Sequence, residues 1–302
     1  MIKIAILGAN GYIGKHLTYK LIQDESHELF LFDIHPDEDI CKNYRQLDLS
    51  NPLSDEIRHI LVSVDYLFFF SGLTGTIKSV ERYEDFIKIN ELGLLSVLDI
   101  LKQELKKPKI IFPSTRLVYK GNKNQPLEEN AEKEFKTLYA INKYSCENYL
   151  AIYKNLFDID YTIFRICVPY GNMLGNELSY GTLSHFFNKA VKGENITLYG
   201  DGSLKRTFTH IDDLTELLIK GAFNEGSSGE TYNIGSPDSL SLLEVAGAIS
   251  NIYDVQVDFT AFPIVDDKIE SGDTIFDGSK LEKLLGYNYK HSFKAWIKQF
   301  KK

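Results

Sequence analysis

The sequence predicts an α/β fold built on a doubly wound parallel sheet, with a smaller lobe interleaved toward the C-terminus. Three observations carry that prediction. Short apolar runs alternate with amphipathic stretches through the first half of the 302 residues, which is the rhythm of strand–helix–strand crossovers. A glycine-rich turn stands directly between the first apolar run and the first amphipathic stretch. The rhythm breaks after about residue 170, where Pro169-Tyr170-Gly171-Asn172 reads as a turn.

The elements follow in order. Ile2–Leu7, Glu28–Phe32, Tyr66–Phe70 and Lys109–Phe112 read as buried strands, because each is a short apolar run. Ile13–Gln23, Asp85–Glu104 and Leu138–Asn155 read as the helices between or after them. Ile163–Val168 and Glu230–Ile234 read as later strands of the same sheet. Beyond the break, Thr182–Lys192, Asp213–Phe223 and Ser241–Ile252 read as helices and Gly200-Asp201-Gly202 as a turn. In such a sheet helices cover both faces, and ligands bind at the carboxyl ends of the strands.

Composition narrows the function. Lys and Arg number 34 against 42 Asp and Glu, a net charge of −8. That balance argues against a general nucleic-acid binder, which needs a basic field. The most apolar stretch, Tyr66–Phe70, is too short to span a bilayer, and no signal-type segment precedes the first strand. Cys41, Cys146 and Cys167 form no C-x-x-C pair, so a reducing compartment, the cytoplasm, is the expectation. The seven histidines lack ligand spacing such as H-E-x-x-H, so no metal site is expected.

Gly8-Ala9-Asn10-Gly11-Tyr12-Ile13-Gly14 spaces its glycines G-x-x-G-x-x-G. Glycines there permit a tight turn and close backbone approach to a pyrophosphate at a helix N-terminus. Asp33 ends the second strand 19 residues after Gly14, the place for an acid that accepts hydrogen bonds from ribose hydroxyls. Its charge repels a 2′-phosphate and no Arg follows it, which favours NAD over NADP. Asp48-Leu49 is placed to meet the adenine edge, with a plain surface turn as the alternative.

Tyr139 and Lys143 stand at i and i+4, on one face of a helix. An ammonium beside a phenol favours the phenolate, which makes the tyrosine an acid/base near neutral pH. Ser114-Thr115 end the run Lys109–Phe112 and supply hydroxyls for a reacting oxygen; a turn-forming pair is the blander alternative.

Taken together these residues resemble the extended short-chain dehydrogenases/reductases, in their nucleotide-sugar epimerase/dehydratase branch. The resemblance runs from Met1 to roughly Gly286. It also includes Asn90-Glu91-Leu92-Gly93, Val118-Tyr119, Arg165 before Tyr170-Gly171, Arg206, Asp212-Asp213 and Tyr232-Asn233-Ile234-Gly235. It implies a Rossmann-type domain over 1–169 plus roughly 205–235, and a substrate lobe over 170–204 and 236–302. It implies Thr115, Tyr139 and Lys143 as the catalytic set. The expected NAD-binding residues are Gly8, Asn10, Gly11, Tyr12, Ile13, Gly14, Asp33, Asp48, Leu49, Ser71, Gly72, Leu73, Asn90, Ser114, Tyr139, Lys143 and Cys167. The expected substrate-binding residues are Thr115, Tyr139, Val168, Thr182, Leu183, Leu198, Tyr199, Arg206 and Asp273, with Arg206 on a phosphate. A homodimer, paired through Asp85–Glu104 and Leu138–Asn155, is also implied.

Two departures bear on the substrate. Val168 replaces an Asn that often contacts substrate in such chains, and Glu270 in Glu270-Ser271-Gly272-Asp273 replaces the Arg of an R-x-G-D run. Arg116-Leu117 stand where the 4,6-dehydratases carry Asp-Glu, so water elimination is disfavoured. The expected activity is NAD-dependent epimerisation of a nucleotide-activated sugar at C4. The alternatives are an NAD(P)H-dependent 4-keto-sugar reductase, a sugar-nucleotide dehydrogenase, and a non-catalytic NAD-binding protein.

Overall fold

A computed structural model describes residues 1–36, 43–123, 125–174 and 181–300. The strands are β1 (Ile2–Leu7), β2 (His27–Asp33), β3 (Tyr44–Gln46), β4 (Tyr66–Phe69), β5 (Lys109–Thr115), β6 (Pro126–Leu127) and β7 (Tyr161–Ile166). They continue as β8 (Val168–Tyr170), β9 (Ile196–Tyr199), β10 (Lys205–His210), β11 (Glu230–Ile234), β12 (Ser239–Ser241), β13 (Val257–Thr260) and β14 (Ile275–Phe276). The helices of the first half are α1 (Tyr12–Leu21), α2 (Asp55–Ser63), α3 (Thr76–Glu81), α4 (Tyr83–Phe86), α5 (Gly93–Leu101) and α6 (Leu138–Phe157). Those of the second half are α7 (Gly181–Val191), α8 (Ile211–Phe223), α9 (Leu242–Tyr253), α10 (Ile264–Ile269), α11 (Ser279–Leu285) and α12 (Phe293–Ile297).

Seven strands form one large parallel sheet in the order β11-β7-β5-β4-β1-β2-β3. The register of β1 runs parallel against both β2 and β4, so the strand order reverses at β1. That reversal opens a crevice beyond the carboxyl ends of β1 and β4, the position at which such sheets take ligands. The glycine turn follows β1 and Ser71-Gly72-Leu73 follow β4, so both segments lie at this switch point.

The chain divides into two compact units. Unit 1 comprises Met1–Val118, Thr137–Arg165 and Leu218–Tyr232; unit 2 comprises Tyr119–Lys136, Ile166–Leu217 and Asn233–Lys302. Residues 119–136, 166–169, 205–217 and 233–235 thus cluster with unit 2, where the resemblance implies the Rossmann-type domain. The reason is pairing that no local pattern announces: β6 pairs with β14, and β10 pairs with β8 and β12.

Each unit has its own apolar core. In unit 1, Leu7, Phe32, Leu67, Phe69, Ile110 and Phe112 of the sheet pack with Leu94, Leu98, Cys146 and Leu150 of α5 and α6. In unit 2, Tyr170, Phe187, Phe208, Ile249, Phe293 and Trp296 form the centre. The region expected as one helix over Asp85–Glu104 is broken: α4 ends at Phe86, a π-helical turn covers Ile87–Leu92, and α5 resumes at Gly93. A π-turn inserts one residue per turn and frees a backbone carbonyl, and it often marks a functional position.

Candidate active site

Gly8 closes β1 with φ +89°, a backbone that L side chains rarely adopt, and a Cβ there would lie 2.6 Å from the Phe70 carbonyl carbon. A Cβ on Gly14 would lie 2.0 Å from the Gly8 oxygen. Both positions therefore need glycine for packing alone. Gly11 caps α1 with no side-chain hydrogen bond, so Tyr12 and Ile13 open a helix whose first amide donors meet no side-chain cap. Asp33 sits opposite this turn. Its Oδ2 accepts from the Asn10 amide at 2.9 Å, and its Oδ1 accepts from the His35 amide at 3.1 Å. The Asn10 side chain donates to the Tyr44 hydroxyl at 2.9 Å, a partner on β3 that the sequence pattern does not announce.

These residues line a cavity of about 310 Å³. Its walls include Gly8, Asn10, Gly11, Asp33, Asp48, Leu49, Ser71, Gly72 and Leu73. Nine residues expected to hold NAD are thus brought together in unit 1. The glycine cradle, a helix N-terminus and a strand-end carboxylate match the needs of a dinucleotide, so the residues present fit NAD.

Asn90 belongs to the π-helical turn and is 3% exposed. Its side chain clamps the segment after β4: Oδ1 accepts from the Leu73 amide at 2.7 Å and Nδ2 donates to the Leu73 carbonyl at 3.0 Å. The Cys146 thiol donates to the Asn90 carbonyl at 3.2 Å. Burial pushes that thiol up to about 12, so it is an inert core group. Asn90 therefore shapes the cavity wall through Leu73.

The residues expected to carry the chemistry lie on β5 and α6. Thr137 caps α6, its hydroxyl accepting from the Ala140 amide at 3.1 Å, which starts the helix just ahead of Tyr139. Tyr139 and Lys143 follow one turn apart on the same helix. Lys143 is buried, donates to the Pro113 carbonyl at 2.8 Å, and lies 4.5 Å from the centre of the Phe112 ring. Burial pulls its ammonium down to about 8. Thr115 is buried at the end of β5, and its hydroxyl accepts from the Leu117 amide at 3.3 Å.

Ser114, expected on the cofactor, turns its hydroxyl elsewhere and donates to Glu147. Glu147 is also held by Arg165, through Nε at 3.0 Å and Nη2 at 2.5 Å, and all three side chains are buried. Ser114, Glu147 and Arg165 thus tie β5, α6 and β7 together. The sequence motifs single out Arg165 but not Glu147, although Glu147 stands one turn beyond Lys143 and two beyond Tyr139.

The remaining expected residues lie in unit 2. Cys167 places its thiol 3.5 Å from the Thr274 carbonyl. Val168 is half-buried in β8. Leu183 and Leu198 are core residues, whereas Thr182 is exposed. Tyr199 is exposed, its ring 5.6 Å from that of Phe262. Asp273 accepts from the Lys205 amide at 2.9 Å and so braces β10. Arg206 is buried and its guanidinium is engaged by Glu270. Cys41 lies outside the described residues.

Among the described residues, no three His, Cys, Asp or Glu side chains gather as metal ligands. Among them too, no helix is long and apolar enough to cross a membrane. A parallel sheet with a dinucleotide cradle at its switch point defines a nucleotide-binding protein of the Rossmann class.

Comparison with known proteins supplies the family. Residues 4–235 match the model of the NAD dependent epimerase/dehydratase family, and the chain belongs to it. NAD is its cofactor. An uncharacterised UDP-glucose epimerase of Bacillus subtilis is 27% identical over 307 residues, covering 97% of this chain and 94% of that protein. A UDP-N-acetyl-alpha-D-glucosaminuronate decarboxylase of Bacillus cytotoxicus is 29% identical over 262 residues, covering 82% and 79%. The solved UDP-glucuronic acid 4-epimerase of Bacillus cereus superposes with a TM-score of 0.85 at 22% identity, covering 98% and 97% of the two chains. The UDP-glucose 4-epimerase of Thermotoga maritima gives a TM-score of 0.85 at 22% identity, covering 98% and 96%. These structural likenesses establish the fold.

Proposed function

We propose that this chain is a 4-epimerase of a nucleotide-activated sugar, acting through a transient 4-keto intermediate. The observation that supports this most is the placement of Thr115 at the end of β5 and of Tyr139 and Lys143 on one face of α6, in the unit that carries the NAD cavity. Relatives named as UDP-sugar epimerases and decarboxylases support the substrate class.

NAD supplies, when bound, reversible hydride chemistry at the sugar carbon. The chain's own residues do the rest. Tyr139 takes the proton of the 4-hydroxyl as that carbon becomes a ketone, and returns it when the carbon is reduced from the other face. Lys143 favours the phenolate by its charge, and Thr115 donates a hydrogen bond to the reacting oxygen. Asp33 and the glycine cradle hold the dinucleotide. In unit 2, Arg206 is the candidate cation for a substrate phosphate, a role that suits a planar guanidinium.

The same reading includes a homodimer. Ile87 and Leu92, with Ile141 and Ile152 of α6, expose large apolar side chains on the two segments expected to pair. Light scattering on the purified protein tests this, and a monomer at micromolar concentration rules it out.

The deciding experiment has two parts. Freshly purified protein is denatured and its released NAD(H) is quantified, then UDP-sugars are offered singly and C4 inversion is followed by proton NMR. Near-stoichiometric NAD with C4 inversion of one sugar supports the epimerase. Consumption of NADH or NADPH with net reduction of a 4-keto sugar overturns it in favour of the reductase.

A further inference from the structure

Unit 2 holds a buried cation whose counter-ion comes from the chain itself. The Arg206 side chain is 4% exposed, and its Nη1 donates to the carbonyls of Lys205 at 2.8 Å and Gly272 at 2.6 Å. Those two neutral acceptors orient the guanidinium without cancelling its charge. Its Nη2 donates to Glu270 Oε1 at 2.6 Å, the one ion pair it makes among the described residues. The Glu270 side chain is 25% exposed, so solvent reaches this pair from the carboxylate side. Glu270 therefore lies over Arg206 rather than beneath it.

The backbone under Glu270 is anchored independently of that side chain. Lys136 Nζ donates to the Glu270 carbonyl at 2.8 Å, and the Gly121 amide donates to the Ser271 carbonyl at 2.8 Å. The Asn122 amide donates to the Asp273 carbonyl at 3.0 Å. A rotamer change of Glu270 alone thus uncovers Arg206, with no movement of the segment that presents it. The cost of such a change is the loss of the ion pair and of the 3.0 Å bond from the Gly272 amide to Oε1.

We propose that Glu270 is a specificity-determining residue: its carboxylate occupies the anion-binding side of Arg206, and a substrate phosphate reaches that arginine only by displacing it. The identity of the anion as a nucleotide phosphate rests on the function proposed above; the competition itself does not. A tethered carboxylate competes at high effective concentration. Multiply charged phosphates displace it, singly charged carboxylates and neutral groups do not, and every phosphate ligand is held more weakly than by an uncovered arginine.

Glu270→Gln tests this in the NAD-saturated full-length protein. Glutamine keeps an oxygen that accepts from Arg206 and from the Gly272 amide but removes the competing charge. Calorimetric titration with inorganic pyrophosphate and with UDP is expected to show dissociation constants at least about tenfold lower than in the parent, since charge-assisted pairs are about twice as strong as neutral ones. Tightening of both ligands supports the proposal together with the nucleotide reading. Tightening of pyrophosphate with no UDP binding to either protein supports the role of Glu270 and overturns the nucleotide reading. UDP binding that is unchanged or weaker in the variant overturns the role of Glu270 and leaves the nucleotide reading intact. No binding of either ligand to either protein overturns both. If Glu270→Gln fails to fold by circular dichroism, Glu270→Asp replaces it, since it withdraws the carboxylate by one methylene. The same outcomes then apply, with an expected gain of roughly threefold.

Discussion

Lys143 and Arg206 are both buried cations, yet they are prepared differently. Lys143 meets a neutral carbonyl and the face of a phenyl ring and makes no ion pair among the described residues, so burial outweighs the more distant Glu147 charge and pulls it down to about 8. Arg206 meets two carbonyls and a carboxylate, so its charge is cancelled where it stands. The contrast teaches that burial alone does not say what a cation is for. A neutral cage leaves the charge available to a neighbouring phenol, whereas an ionic partner turns the cation into a clamp until another anion takes its place. Glu147 and Arg165 give the limiting case, an ion pair closed on both sides.

The comparison can be broken most directly at Tyr139, the group that Lys143 serves in the proposed mechanism. Tyr139→Phe removes the acid/base, and kcat should fall by ~10²–10⁴ while bound NAD is retained. Activity within a few-fold of the parent would remove the assigned role of Lys143 as well. The closed pair comes next. Glu147→Ala leaves Arg165 buried without its counter-ion, and urea unfolding should show a loss of about 3–5 kcal/mol. A loss below about 1 kcal/mol would mean that solvent reaches the pair, as it does for exposed ones.

A pH profile sharpens the distinction further. Lys143 carries its charge below about pH 8 and loses it above. The phenolate-favouring field is therefore present at lower pH and fades as pH rises, so kcat/KM should bend downward above about pH 8. Lys143→Arg should move that bend upward, and a parent profile that stays flat to pH 10 would contradict the assignment. The stability contribution runs in the opposite sense. Between about 8 and the ordinary lysine value of 10.5 the unfolded chain binds the proton and the native state does not, so this group's contribution rises across that window. The smallest effect is expected at Thr18, whose buried hydroxyl has no hydrogen-bond partner among the described residues. Thr18→Val keeps the shape and removes the unmet polar group, so thermal unfolding should report a gain of ~1 kcal/mol. A loss would show that the hydroxyl has a partner after all.

Much of unit 1 was legible in the chain because its signals are local. The alternation of runs predicts six of the seven strands of the sheet, all but the short β3, the glycine spacing predicts the turn after β1, and the distance to Asp33 predicts a carboxylate at the rim of the cavity. The i, i+4 spacing places Tyr139 and Lys143 together, since one helical turn returns to the same face. For α6 only the C-terminal end moved, by two residues: it runs Leu138–Phe157 against an expected Leu138–Asn155. The segment Asp85–Glu104 was less legible, because a π-turn depends on what packs against it rather than on periodicity.

What the sequence by itself determined, then, is the fold class, the glycine turn of the dinucleotide cradle and the placement of Tyr139 and Lys143 one turn apart, all set by spacing along a single strand, turn or helix. Only the tertiary structure decided the rest. Ser114 meets Glu147 33 residues away, and Arg206 meets Glu270 64 residues away. Residues 119–136 and 205–217 likewise join unit 2 through long-range strand pairing. The physical reason is common to all three. A hydroxyl, a guanidinium or a strand edge is satisfied by whichever partner the closed chain brings within about 3 Å, and no short-range pattern encodes that choice.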